Sequence, residues 1–227
     1  MALNLSSWKK YGSHIFWAIV LLLLAGFFIR VTVWEKDYYA SKEGTERAEG
    51  QIVIEEEVDE TEITQQQINS YTVAPDRPRY ISLPSINITN ARVIPVSLRA
   101  NGELATSASI FDVGWYTSSG KPGQGGTMLM DGHNGGPSKY GVFKYLPGMA
   151  IGDIIKITRG DGAVFNYEIV ENNTYTIAEA NKNMYKMMQS PVDGKESLSL
   201  ITCTGEWSQV HRTYMSRQFV RAVLTNN

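Results

Sequence analysis

Apolar residues fall along this chain in three unlike patterns. The first is continuous: from about Tyr11 to Ile29, in "YGSHIFWAIVLLLLAGFFI", no residue carries a formal charge apart from the titratable His14. A run of about 19 mostly apolar residues crosses the roughly 30 Å hydrocarbon core of a bilayer as a helix. Lys9 and Lys10 precede it and Arg30 follows, so the positive-inside tendency predicts a cytoplasmic N-terminus, and Trp8 and Trp34 suit the two interfaces. A cleaved signal peptide would have a shorter apolar region and an A-x-A-like site after it. Residues 1–34 are therefore predicted to be a cytoplasmic N-terminus and a single retained transmembrane helix. The bulk of the protein then faces outward from the cell membrane.

The second pattern is nearly free of apolar clustering. Residues 35–74, with "EGTERAEGQIVIEEEVDETEITQQQ", carry eleven acidic against three basic residues. Low hydrophobicity with high net charge does not bury enough surface to offset chain entropy, so an extended, self-repelling stalk is expected. The competing reading is a short strand or helix around "QIVIEEEV" packed on the body.

The third pattern fills residues 75–227. "RYISL", "ARVIPV", "GTMLMD", "DIIKIT", "AVFNYEIV", "TYTIA", "LSLITC" and "RQFVRAVL" are short β-rich runs, several alternating with period two. Gly, Pro and Asn punctuate them, as in "LPSINITN", "SSGKPGQGG" and "TRGDGA". One segment, "IAEANKNMYKMMQS", has helical composition and is predicted as a single helix before Pro191. Many short antiparallel strands with little helix predict a mostly β domain, closed or nearly closed as a barrel. Periodicity alone does not separate that from a sandwich. No internal repeat is present. The formal charge is −2 for the whole chain, but from Pro75 onward there are 15 basic and 12 acidic residues. That balance is too mild to imply a nucleic-acid partner.

Chemistry enters with one residue. Cys203, at the end of "SLSLITC", is the only cysteine in 227 residues. In an outward-facing domain it is unpaired, intermolecular or catalytic. Most free cysteines are simply small buried residues. Here, however, "TGEW" breaks the strand immediately after the thiol, so rigid backbone would hold it at the mouth of a cleft. A nucleophilic thiol needs a proton acceptor, most often histidine. Of three histidines, His14 lies in the apolar run and His211 in the loop "GEWSQVHRTYMS". His133 follows directly on a strand in "GTMLMDGHNGG", where flanking glycines are expected to permit unusual backbone angles and to remove bulk near the imidazole. Attack on an amide carbonyl also creates an oxyanion, which needs donors where the charge develops. Arg217 and Arg221 share one face of "RQFVRAVL", and Arg212 is a loop-borne candidate.

These residues resemble the sortases, the membrane-anchored cysteine transpeptidases of bacterial surfaces, over about Arg79 to Leu224. "RYISLPSINITNARVIPV" is similar to the opening strands with their P-x-I element, and "GWYTSSGKPGQGGTMLMDGHNGG" to the W-Y, P-G and G-H stretch. "YGVFKYLPGMAIGDIIKI" resembles the F-x-x-L and G-D segment, "SLITC" the T-L-x-T-C strand, and "RQFVRA" the closing arginine strand. The W-Y and P-G elements lean toward the class E and F types. The resemblance implies an eight-stranded sortase-type barrel with one or two short helices and a Cys–His–Arg site. By motif, Cys203 is the nucleophile, His133 the acid/base and Arg217 the oxyanion stabiliser. Thr202, Asp131 and Ser199 are expected on the substrate side. Ser199 stands where the family usually has Thr, and Asp131 where a small residue is usual. A carboxylate there would favour imidazolium at His133 if the two side chains face each other.

The implied reaction cleaves a C-terminal sorting signal resembling L-P-x-T-G and joins the acyl part to an amine, from a cell-wall precursor or a pilin lysine. The implied partners are sorting-signal-bearing surface proteins, that amine acceptor and the lipid bilayer. No cofactor is implied, and no acidic cluster marks a calcium site. Two other classes stay open on sequence: a cysteine hydrolase of wall or surface peptides, and a non-enzymatic anchored binding domain.

Overall fold

The computed structural model describes residues 58–225; the apolar N-terminal run and the segment up to residue 57 lie outside them. Eight strands are present: β1 (Pro78–Leu83), β2 (Ile88–Val96), β3 (Val113–Tyr116), β4 (Thr127–Gly132), β5 (Ile154–Arg159), β6 (Val164–Thr176), β7 (Ser197–Ser208) and β8 (Thr213–Leu224). They close in the order β1-β2-β3-β4-β7-β8-β6-β5, with β5 pairing back onto β1. All neighbours are antiparallel except β2 with β3 and β4 with β7. Closure pairs each strand on both edges and leaves no open row of N–H and C=O groups. It also decides for a barrel over a sandwich.

Side-chain alternation sorts the strands onto two cores. Inside the barrel lie Met128 and Met130 of β4, Leu198 and Leu200 of β7, and Val220 and Ala222 of β8, with Ile81, Ile157, Tyr167 and Ile169 from the far wall. The odd-numbered neighbours on the same three strands point outward, and there Leu129, Ile201 and Phe219 form a second cluster with Ala180 and Met187. β4 is consequently buried on both faces, which is why "TMLMDG" lacks polar alternation. The cover over the outer cluster is helix α2 (Ile177–Asn183) followed by the 3₁₀ turn Met184–Met188.

That cover was expected as one helix. It starts as one, with a capping box between Thr176 and Glu179. The Asn183 side chain then donates back to the Glu179 carbonyl at 2.8 Å. Such local bonding competes with the backbone ladder, and the chain tightens to 3₁₀ after it. The runs "AVFNYEIV" and "TYTIA" are a single 13-residue strand, β6, and "VGWY" is a strand of its own, β3.

The described residues ahead of β1 also pack onto the barrel. A short helix, α1 (Gln65–Ser70), is capped by Thr64 and Gln67. It is tied down by Tyr71, whose hydroxyl donates to the Val93 carbonyl at 2.6 Å, and by Arg79, whose Nε donates to the Tyr71 carbonyl at 2.7 Å. Ahead of it, the Glu60 carboxylate accepts from the Ser138 and Lys139 amides at 2.8 and 3.0 Å. Charge-assisted bonds of this kind are roughly twice as strong as neutral ones. Acidic residues read as mutually repelling have thus found donors on the body of the protein.

Leu200 is fully buried inside the barrel between β4 and β8. Leu200→Ala is expected to lower stability by about 2–5 kcal/mol, the usual cost of a lost aliphatic side chain and its cavity. Chemical denaturation should show it as a lowered midpoint at unchanged slope.

Candidate active site

β7 carries Cys203 at the point where its two neighbours differ in direction. On one side β8 runs antiparallel and sets Arg217 directly opposite Cys203. On the other, β4 runs parallel with Asp131 aligned to Ile201. β4 ends at Gly132, so His133 is the first residue beyond the strand that runs beside Cys203's own. The Thr202 hydroxyl fastens that alignment, donating to the Gly132 carbonyl at 2.8 Å. Cys203 faces outward with Ile201 and is partly exposed.

His133 is held from three sides. Its Nε2 lies 2.7 Å from the Ser107 carbonyl oxygen, and since a carbonyl only accepts, Nε2 carries the proton. In the neutral ring Nδ1 is then the basic nitrogen. Its own carbonyl accepts from the Phe143 amide at 2.9 Å. The glycines around it were expected both to permit unusual backbone angles and to remove bulk; Gly132, Gly135, Gly136 and Gly141 all avoid positive φ. They provide space: a Cβ at Gly132 would lie 2.6 Å from the Phe143 ring, and one at Gly141 would lie 2.3 Å from the His133 carbonyl oxygen.

Arg217 is anchored through Nη1, which donates to the carbonyls of Tyr214 and Ser216 at 2.7 and 2.9 Å, and through Nη2 to Thr213 Oγ1 at 3.3 Å. The fixed guanidinium stands beside the thiol. Burial pushes the Cys203 thiol up from its ordinary value, the Arg217 charge pulls it down, and Asp131 pushes it up further. A cation, a thiol and an imidazole are the groups that nucleophilic acyl transfer requires.

The sortase-domain family model matches residues 81–225. The chain belongs to the sortase family. Its fold is shared with sortase C of Streptococcus pneumoniae, at 19% identity over 75% of this chain and 76% of that one, with a TM-score of 0.50. Sortase C1 from pilus island 1 of Group B Streptococcus is 16% identical over 69% and 68% of the two chains, with a TM-score of 0.49. A lid mutant of sortase A from Corynebacterium diphtheriae is 24% identical over 71% and 77%, with a TM-score of 0.48. No curated protein matches the sequence.

Within this sortase the two candidate strand arginines separate cleanly. Arg221 lies opposite Ser199, about 13 Å along β8 from Arg217 at the usual strand rise. Its Nη1 donates to both Glu171 carboxylate oxygens at 2.9 and 2.8 Å, and its Nη2 to the Gln189 carbonyl at 3.0 Å. It staples β6 and the end of the outer cover to β8. Arg212 sits with His211 in the exposed turn between β7 and β8, at a φ of 49°.

The three residues expected on the substrate side are all buried. Thr202 faces away from Cys203 and spends its hydroxyl on Gly132. Ser199 is fully buried beneath Arg221. Asp131 is 9% exposed, sits on the outer face two residues before His133, and has its carboxyl pushed up to about 7 by burial. Residues not anticipated include Ser107 and Thr106, on the loop between β2 and β3, which contact His133 and Asp131 respectively. Tyr175 also emerges, edge-on to Phe219 with ring centroids 5.3 Å apart, and it pairs in register with Arg217. Among the described residues no three His, Cys, Asp or Glu side chains gather as a metal site. An open groove of about 620 Å³, lined by Ile86, Lys144, Tyr145 and Pro147 among others, includes none of Cys203, His133 and Arg217.

Because Arg217 lowers the thiol and nothing else on β8 replaces its charge, Arg217→Gln should raise the Cys203 ionisation by about one pH unit. The check is the pH dependence of iodoacetamide alkylation, whose midpoint should move to higher pH.

Proposed function

We propose that this sortase is a cysteine transpeptidase in which Cys203 is the nucleophile, His133 the acid/base and Arg217 the oxyanion stabiliser. The observation that supports the reading is the register of β7, which pairs the sole cysteine with Arg217 of β8 and runs beside β4, the strand that ends one residue before His133. The Cys203 thiolate attacks the carbonyl carbon of the scissile amide, and the electron pair moves to oxygen. Anchoring uses both Nη1 protons of Arg217 and one on Nη2, leaving Nε–H and the other Nη2–H to meet the oxyanion. Collapse expels the amine, protonated by the His133 imidazolium, and leaves a thioester. A second amine attacks the thioester, His133 takes its proton, and the thiolate departs. Amide-bond energy is retained in the thioester, so no nucleotide is required.

The substrate in this reading is a C-terminal sorting signal resembling L-P-x-T-G on a surface protein. The acceptor is an amine of the cell wall or of a pilin lysine. The W-Y and P-G elements favour an E- or F-like type. Residues 11–29 serve as a membrane anchor, which sets the barrel on the outer side of the cell membrane, at the end of the acidic linker.

The test offers the full-length protein sorting-signal peptides with glycine-based and lysine amines, and follows products by mass spectrometry. A peptide adduct on Cys203 and an amine-ligated product are expected. Cys203→Ala should abolish both, and His133→Ala should lower ligation by at least about a hundredfold. Release of the acyl part to water alone, with every amine offered, would instead make the protein a hydrolase.

A further inference from the structure

Asp131 has no part in the reaction as drawn, yet it is an ionisable group buried on the strand that leads to His133. It sits on the outer face of β4, aligned with Ile201 on β7 and with Gly114 on β3. Its Oδ1 has no hydrogen-bond partner. The site has been shaped around it: a Cβ on Gly114 would lie 2.4 Å from that oxygen and 3.2 Å from the Val96 side chain. Any side chain at position 114 would therefore displace the carboxyl, so a glycine in the middle of β3, poor in intrinsic strand preference, is what makes room for it.

The groups that face this carboxyl are few. Arg99 approaches from the β2–β3 loop, with the neutral Thr106 donating a hydrogen bond. His133 follows two residues later, just past the end of β4. Cys203 responds to its charge from β7, with Arg217 behind Cys203 on β8. β3 offers only Gly114 at this level.

We propose that Asp131 is a charge-tuning residue of this site: held against Gly114 behind the nucleophile, its carboxyl controls by gaining or losing a proton how readily Cys203 becomes thiolate and His133 imidazolium. The inference rests on the reading of Cys203 as nucleophile. Neutral Asp131 leaves the Arg217 charge unopposed beside the thiol, and the thiolate forms readily. Ionised Asp131 adds a negative charge that disfavours a second one on sulfur and favours the proton on the imidazole. Burial places the changeover at about pH 7. The carboxyl is thus neutral on the acid side of that value and opposes the thiolate only above it, so it acts on the alkaline limb of the pH profile and spares the acid limb. Asp131 touches no reacting atom in this scheme; it acts through Cys203 and His133.

The experiment compares the full-length protein with Asp131→Asn, which keeps the shape and removes the charge. The readout is the rate of iodoacetamide alkylation of Cys203 from about pH 5 to about pH 10, a range that brackets both ionisations. The expected result is a variant midpoint lower by about one unit, with the two curves meeting at the acid end, where Asp131 is neutral in both. Superimposable curves would overturn the proposal. So would a constant offset at every pH, which is the mark of altered access and not of charge. Should the variant fail to fold, the ¹³C shift of the Asp131 carboxyl in the wild-type protein decides: titration near neutrality supports the proposal, and titration in the ordinary range of about 4 rejects it. Alkylation uses no substrate, so the two readings fail separately. Shifted curves without peptide ligation remove the transpeptidase and keep the coupling, whereas ligation with superimposed curves does the reverse.

Discussion

The structure turns on β7 being hydrogen-bonded along both edges, parallel to β4 and antiparallel to β8. That one strand makes Cys203 the meeting point of a residue from each neighbour. A shift of one residue in either pairing would send every side chain on the strand to the opposite face. The inward set, Leu198 and Leu200 with Met128, Met130, Val220 and Ala222, forbids it, because a slip would expose those side chains and bury the thiol among them. Burial of each such side chain is worth about 1.5–3 kcal/mol. The apolar interior therefore sets the register from which the chemical alignment follows.

Behind the thiol, polar groups are buried with defined work. Thr202 ties β7 to the peptide that precedes His133, and Arg221 ties β8 to Glu171 and to the end of the outer cover. The Arg221 side chain is largely covered while that of Glu171 is open to solvent, so the pair fixes position more than it adds stability. Arg221 and Glu171 thus hold geometry, while Arg217, anchored to backbone carbonyls, keeps its charge available to Cys203. Two arginines on one strand face have separate duties because their partners differ.

The imidazole depends on chain segments remote in sequence. Ser107 accepts from its Nε2, while Glu60 binds the loop that follows it, through the amides of Ser138 and Lys139. The backbone of Asp59 pairs in turn with residues flanking Ser107's loop, donating to the Ala108 carbonyl at 2.8 Å and accepting from the Ile110 amide at 3.0 Å. The first described residues of the chain therefore brace both loops that frame His133. Position and tautomer of the ring are products of this bracing more than of the glycines beside it.

Much of this was legible in the amino-acid order. Short alternating runs identified the strands, and the ordered motifs identified the family. These are local properties, encoded by neighbours a few residues apart. Barrel closure, the different partners of Arg217 and Arg221, and the burial of Thr202, Ser199 and Asp131 were decided only by the fold. Each depends on which strand lies beside which, and on the face a residue presents once they pair. Gly114 shows the difference most plainly: in sequence it is a weak strand residue, and only the approach of Asp131 from the next strand gives the missing side chain a reason.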